Sequence, residues 1–187
     1  MNAIMNIFAE KCVMKGYISK DRVPFLVYAL ERKLVIILVG IPFFIVGSII
    51  SSPIITMFFW FGFYFLRSRI SGYHTKNIET CLAGTLFLEW FFLDILFEVL
   101  HGRTIAILLV LAFFLIVLLS PYKDPCMNFS EEEVRICSCG AKTRVVILFA
   151  LIIYLYLNNY YHLARGVALG IVMAASLLAL AYIKQKI

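Results

Sequence analysis

The chain has 187 residues, of which 63% are hydrophobic, and its 17 Lys or Arg against 11 Asp or Glu give a net charge of +6. With 15% charged residues, against roughly 25% in soluble domains, the composition excludes a water-soluble globular domain and makes the bilayer the solvent. The positive charge sits in short clusters between uncharged runs, as membrane topology requires, so no nucleic-acid partner is expected.

Residues 1–33 mix apolar and basic positions, as in Phe25-Leu26-Val27-Tyr28-Ala29-Leu30-Glu31-Arg32-Lys33. This pattern fits an amphipathic segment lying in the membrane interface; the alternative is a stub that prolongs the first span. No cleavable signal peptide is expected, because no apolar core with a small-residue cleavage site opens the chain. The uncharged run from Leu34 to Leu66 far exceeds the about 20 helical residues that cross a bilayer core. Ser51-Ser52-Pro53 interrupts it with turn chemistry, so two short helices are predicted there. Uncharged runs at 104–122, 145–163 and 166–183, with the run 82–100 that holds three acids, bring the count to six. The predicted fold is all-α: a polytopic integral membrane protein with six transmembrane helices, one domain over 1–187 whose six-span core covers 34–183.

Charge asymmetry orients these spans. All of the 17 basic residues except Arg103 and Arg165 fall on one side, which the positive-inside rule makes the cytoplasm, with both termini there. His101 and His162 fall in the outer loops. The five cysteines, Cys12, Cys81, Cys126, Cys137 and Cys139, lie on or near the cytoplasmic side, where thiols stay reduced. The spacing C-x10-C-x-C of the last three lacks the C-x2-C of zinc modules, so no metal is expected, and no phosphate loop or dinucleotide fingerprint points to a cofactor.

Between spans two and three runs R-S-R-I-S-G-Y-H-T-K-N-I-E-T-C, Arg67 to Cys81. A free cysteine is most often a small buried hydrophobe. A cysteine peptidase, by contrast, needs a thiolate, a base within hydrogen-bond reach and a positive field. This segment supplies His74 as the base and Arg67, Arg69 and Lys76 as the field. Cys81 stands where span three begins, and a helix N-terminus lowers a thiol's pKa. Residues seven apart on a continuous helix stand about 10.5 Å apart along the axis, so the chain must turn between His74 and Cys81, near Lys76-Asn77. Gly72 permits the tight backbone, and Asn77 or Glu79 is a candidate third member that orients the imidazole.

Arg67, Gly72, His74 and Cys81 resemble the R-x(4)-G-x-H-x(6)-C motif of the accessory gene regulator protein B (AgrB) family, the membrane cysteine endopeptidases of Gram-positive quorum sensing. Tyr28-Ala29-Leu30-Glu31 is similar to the Y-G-L-E stretch before that family's first span. The stretch from Ser120-Pro121 to Ser130-Glu131-Glu132-Glu133 is similar to its A-P-V-x-x-x-N-K-P-L-S-x-x-E loop. The chain departs in having Ser71-Gly72-Tyr73 where Gly-Gly often precedes the His, Ala29 for the usual Gly, and Cys126-Met127-Asn128-Phe129 where Asn-Lys-Pro is common. The resemblance implies an AgrD-like propeptide as substrate, with an amphipathic leader, a signal segment holding Cys or Ser, and an acidic tail. It implies His74 and Cys81 as the catalytic pair, with Glu31, Arg67, Gly72, Glu79 and Glu89 as supporting or substrate-binding positions. It also implies no cofactor and a Gram-positive cell membrane, with lipid as the second partner. A homodimer would suit short spans in close contact, though the sequence does not require one.

Span three also carries Glu89, Asp94 and Glu98. Carboxylates within a membrane are costly enough to imply function, and three on one helix sustain a rival reading, a small membrane transporter or peptide exporter. The alternatives for these acids are pairing between helices, an interfacial position, or, for Glu89, a place lining the substrate cavity or neutralising a basic residue.

Overall fold

The computed structural model describes residues 10–17, 19, 23–70, 78–100, 102–120 and 131–186, and among them all regular structure is helical. After a helical turn at residues 10–14 come α1 (Val23–Ile50), α2 (Pro53–Ile70), α3, α4 (Gly102–Leu119), α5 (Glu131–Leu157) and α6 (Tyr161–Lys186). α3 is composite: Ile78–Trp90 is α-helical, Phe91–Leu96 is π-helical and Phe97–Val99 closes the element. By contact, the chain divides into two compact units, Met1–Phe43 and Phe44–Ile187.

In the first unit, the turn at 10–14 ends on a Schellman motif: Gly16, at φ +72°, donates to the Val13 carbonyl, and Tyr17 donates to that of Cys12. α1 then starts at Val23 and runs without a break to Ile50. Residues 23–33 therefore open the same helix as the run expected to form the first span, and no element boundary falls at residue 33. Pro42 lies inside α1, where its missing N–H removes a helical hydrogen bond, and the units divide just after it.

The second unit begins with the break read from Ser51-Ser52-Pro53. Ser52 is the N-cap of α2, its Oγ accepting from the Ile55 amide at 3.2 Å, and Pro53 takes the first helical position, where no N–H is needed. α2 buries Phe59, Phe63, Leu66 and Ile70, and α4 buries Ile105, Leu109, Ala112 and Ile116. Each set repeats at i, i+4, i+7, i+11, one apolar stripe facing the core. The opposite face of α4 is also apolar and exposed, with Ile107, Leu111, Phe114 and Leu118, as lipid contact demands.

Among the described residues, three helices are long and apolar enough to cross a membrane: Gly102–Leu119, Ser138–Leu157 and Tyr161–Lys184. They differ in role, because this stretch of α6 is mostly buried whereas those of α4 and α5 are mostly not. α6 is the hub of this unit, touching α2, α4 and α5. Small residues make the closest approach possible. A Cβ on Gly166 would come within 3.2 Å of the Ile55 carbonyl oxygen, one on Gly170 within 2.9 Å of the Phe63 amide, and one on Gly62 within 2.7 Å of the Val167 carbonyl oxygen. Gly166 and Gly170 form a G-x-x-x-G face, which lets two membrane helices meet backbone to backbone.

The α5–α6 boundary differs from the sequence expectation. An uncharged run reached Leu163, but α5 ends at Leu157 in a second Schellman motif. There Asn159, at φ +64°, donates to the Tyr156 carbonyl and Tyr160 donates to that of Leu155, asparagine being the commonest stand-in for glycine at this position. His162 and Arg165 consequently lie in the first turns of α6 rather than in a loop. Arg165 reaches the carboxyl end of α3, donating to the carbonyls of Phe97 and Leu100, the latter at 2.7 Å, with its guanidinium 4.6 Å from the Phe97 ring centroid.

Candidate functional site

The sequence motif runs from the carboxyl end of α2 into the amino end of α3. α2 ends with Arg67 and Arg69 in its last turn, both half-buried. The last carbonyls of a helix lack intrahelical partners and carry partial negative charge. Arg144 of α5 lies against this last stretch of α2: its Nη1 donates to the Phe65 carbonyl at 2.7 Å and to Ser68 Oγ, and its guanidinium lies 4.6 Å from the Phe65 ring centroid. Arg69 extends towards the same helix, its Cδ 3.6 Å from where a Cβ on Gly140 would stand. Two guanidiniums from two helices thus gather at the point where the chain leaves α2 towards His74.

The carboxyl end of α4 is closed by side chains of α5 and α6. Tyr182 of α6 donates its hydroxyl to the Leu119 carbonyl at 2.6 Å, and Ser138 of α5 donates to that of Ser120 at 3.4 Å. Cys139, beside these contacts, is a free and exposed thiol.

Cys81 occupies the fourth position of α3, in its first turn. His74 and Gly72 lie outside the described residues, as do the side chains of Cys81, Glu79 and Glu31. Arg67 and Glu89 are the members of the predicted site whose side chains are described, and they stand apart: Arg67 in the last turn of α2, Glu89 about 12 Å along α3 from Cys81 at 1.5 Å per residue.

The acids of α3 do not share an environment. Asp94 and Glu98 are exposed, while Glu89 is wholly buried. Among the described residues, Glu89 meets Gly47 of α1 and Thr56 of α2: a Cβ on Gly47 would overlap Glu89 Oε1 and stand 2.5 Å from Thr56 Cγ2. Neither Glu89 oxygen, nor Thr56 Oγ1, has a hydrogen-bond partner among the described residues. The π-helical segment begins two residues after Glu89, and such segments frequently mark functional positions. Thr56 and Gly47 were not singled out in the sequence; a glycine and a threonine within two apolar helices were the available signal. Among the described residues, no group of three His, Cys, Asp or Glu side chains gathers as a metal site would require.

A family model described as accessory gene regulator B matches residues 1–179, a range that holds all the motifs above. No curated protein and no solved structure matches the chain. With nearly its whole length matched in this way, the chain belongs to the accessory gene regulator B family, whose role is in the processing of quorum-sensing peptides.

Proposed function

We propose that the chain is a membrane-embedded cysteine endopeptidase that removes the acidic tail of an AgrD-like propeptide and cyclises what remains. The observation that carries this reading is the family match over residues 1–179 together with the Arg67-to-Cys81 motif inside it. The arginines at the end of α2 and the position of Cys81 in the first turn of α3 support it, since both stabilise a thiolate.

His74 takes the thiol proton of Cys81, and the thiolate attacks the carbonyl that joins signal segment to tail. The tetrahedral intermediate collapses as His74 returns the proton to the departing amide nitrogen, which frees the tail and leaves a thioester on Cys81. A Cys or Ser within the signal segment then attacks that thioester, losing its own proton to His74, so the peptide closes as a thiolactone or lactone and Cys81 is restored. Exchange of one thioester for another needs no ATP provided water is kept from the acyl-enzyme, and a membrane-boundary site favours that exclusion. Glu79 or Asn77 orients the imidazole, Gly72 permits the turn, and Glu31 and Arg67 contact the substrate.

In this reading six spans cross the membrane with both termini cytoplasmic, residues 1–33 hold an interfacial segment, and the whole chain works as one domain. The basic cytoplasmic face draws in the acidic tail and anionic headgroups, at ~1 kcal/mol per Lys or Arg near such a surface.

Reconstituted liposomes test this. Cys81→Ala and His74→Ala should each reduce propeptide cleavage at least about 10³-fold, the order found when a nucleophile or its base is removed, while both variants still insert. Cleavage that survives in both refutes the assignment.

A further inference from the structure

We infer that Glu89 and Thr56, facing each other beside Gly47, form a binding site for one small monovalent cation, a proton or sodium, inside the helical core. These side chains bring three oxygens, the two of the Glu89 carboxyl and Thr56 Oγ1, and Oε1 and Oγ1 both border the space that a Cβ on Gly47 would take. Both side chains are 0% exposed, and none of the three atoms has a hydrogen-bond partner among the described residues. Burying such groups unsatisfied costs several kcal/mol, and burying a bare carboxylate costs more. The arrangement therefore calls for a ligand that supplies positive charge.

The surroundings limit what that ligand is. α1 meets Glu89 with Gly47 and α2 with Thr56. A single carboxylate balances a single charge, and the described residues gather no set of three His, Cys, Asp or Glu, so calcium-class and zinc-class ions are a poor match. The cradle itself depends on a missing side chain, because a Cβ on Gly47 would overlap Glu89 Oε1 and stand 3.1 Å from Thr56 Oγ1. The π-helical turns that follow directly are a further departure from regular helix at the same depth. The site lies apart from Cys81 and needs none of the peptidase chemistry.

The experiment uses the full chain in liposomes, treated with dicyclohexylcarbodiimide, an apolar reagent that adds to protonated carboxyls, with the Glu89 adduct read by mass spectrometry. A proton site gives an adduct that declines as pH rises and is indifferent to salt. A sodium site gives an adduct that NaCl suppresses and choline chloride does not. In either case Thr56→Val should shift the midpoint, in proton or sodium concentration, by roughly fivefold to tenfold, the weight of one hydrogen bond, and Thr56→Ser should restore it. The inference is overturned if Glu89 stays unmodified at every pH and salt, or if its adduct responds to none of pH, sodium and Thr56→Val.

Discussion

Arg144 and Arg165 each donate to backbone carbonyls near the carboxyl end of another helix, with the guanidinium 4.6 Å from the ring centroid of a phenylalanine of that helix, Phe65 for the first and Phe97 for the second. In lipid the last carbonyls of a helix have no water to turn to, so a guanidinium with several donors is worth more there than at a wetted surface. Arg144→Gln should cost about 1–3 kcal/mol, as for hydrogen bonds to a charged group, read as a lower unfolding midpoint in detergent; Lys142→Gln, on an exposed side chain of the same helix, should leave it unchanged. From sequence both arginines were legible only as charges that orient the spans, because the carbonyls they serve belong to helices distant in the chain. The catalytic candidates were the reverse case. His74 and Cys81 were legible from a local motif, since a base, a thiol and a helix start occur within fifteen residues. At pH 7 Cys81 should react with iodoacetamide at least about tenfold faster than the exposed thiol Cys139, as a depressed thiol pKa requires, and His74→Ala should erase the difference. Equal rates in the parent chain would argue against an activated thiol.

The break between α1 and α2 could be read from Ser51-Ser52-Pro53 because cap and proline act locally. The end of α5 could have been read from Asn158-Asn159, but a boundary drawn from uncharged runs passes over it: Arg165 is inside a helix, and charge is no marker of a loop when the charge has carbonyls to serve. The π-helical turns of α3 have no such signature, since Phe91-Phe92-Leu93 would sit as well in an α-helix. Gly166 and Gly170 were not singled out in the sequence, and only the partner backbone of α2 shows what they permit. Gly170→Ala, whose new Cβ would clash with backbone atoms of Phe59 and Phe63, should destabilise the protein by about 1–3 kcal/mol. Gly84→Ala, with nothing within 4 Å of the added carbon, should be neutral or stabilising by up to ~1 kcal/mol. A chemical unfolding series on both variants decides whether helix approach or helix propensity governs these glycines.

At the scale of the molecule, α6 is enclosed while α4 and α5 keep apolar outer faces, so the last helix in the chain is the one around which this unit is built. Composition made the membrane legible at once; the order of enclosure was not legible, because every run is apolar on all sides and periodicity cannot say which side meets protein. The charge asymmetry predicts that a membrane-impermeant maleimide labels Cys139 in inside-out vesicles and not in right-side-out ones; the opposite pattern would invert the orientation. The account as a whole depends on a covalent intermediate at one sulfur. Mixing the reconstituted protein with a propeptide whose internal Cys or Ser is replaced by Ala should halt the reaction after tail release and leave a thioester on Cys81. Intact-mass spectrometry should then show the protein heavier by the tail-less peptide and returned to its own mass by hydroxylamine, whereas a tail released with no adduct on Cys81 would contradict the mechanism.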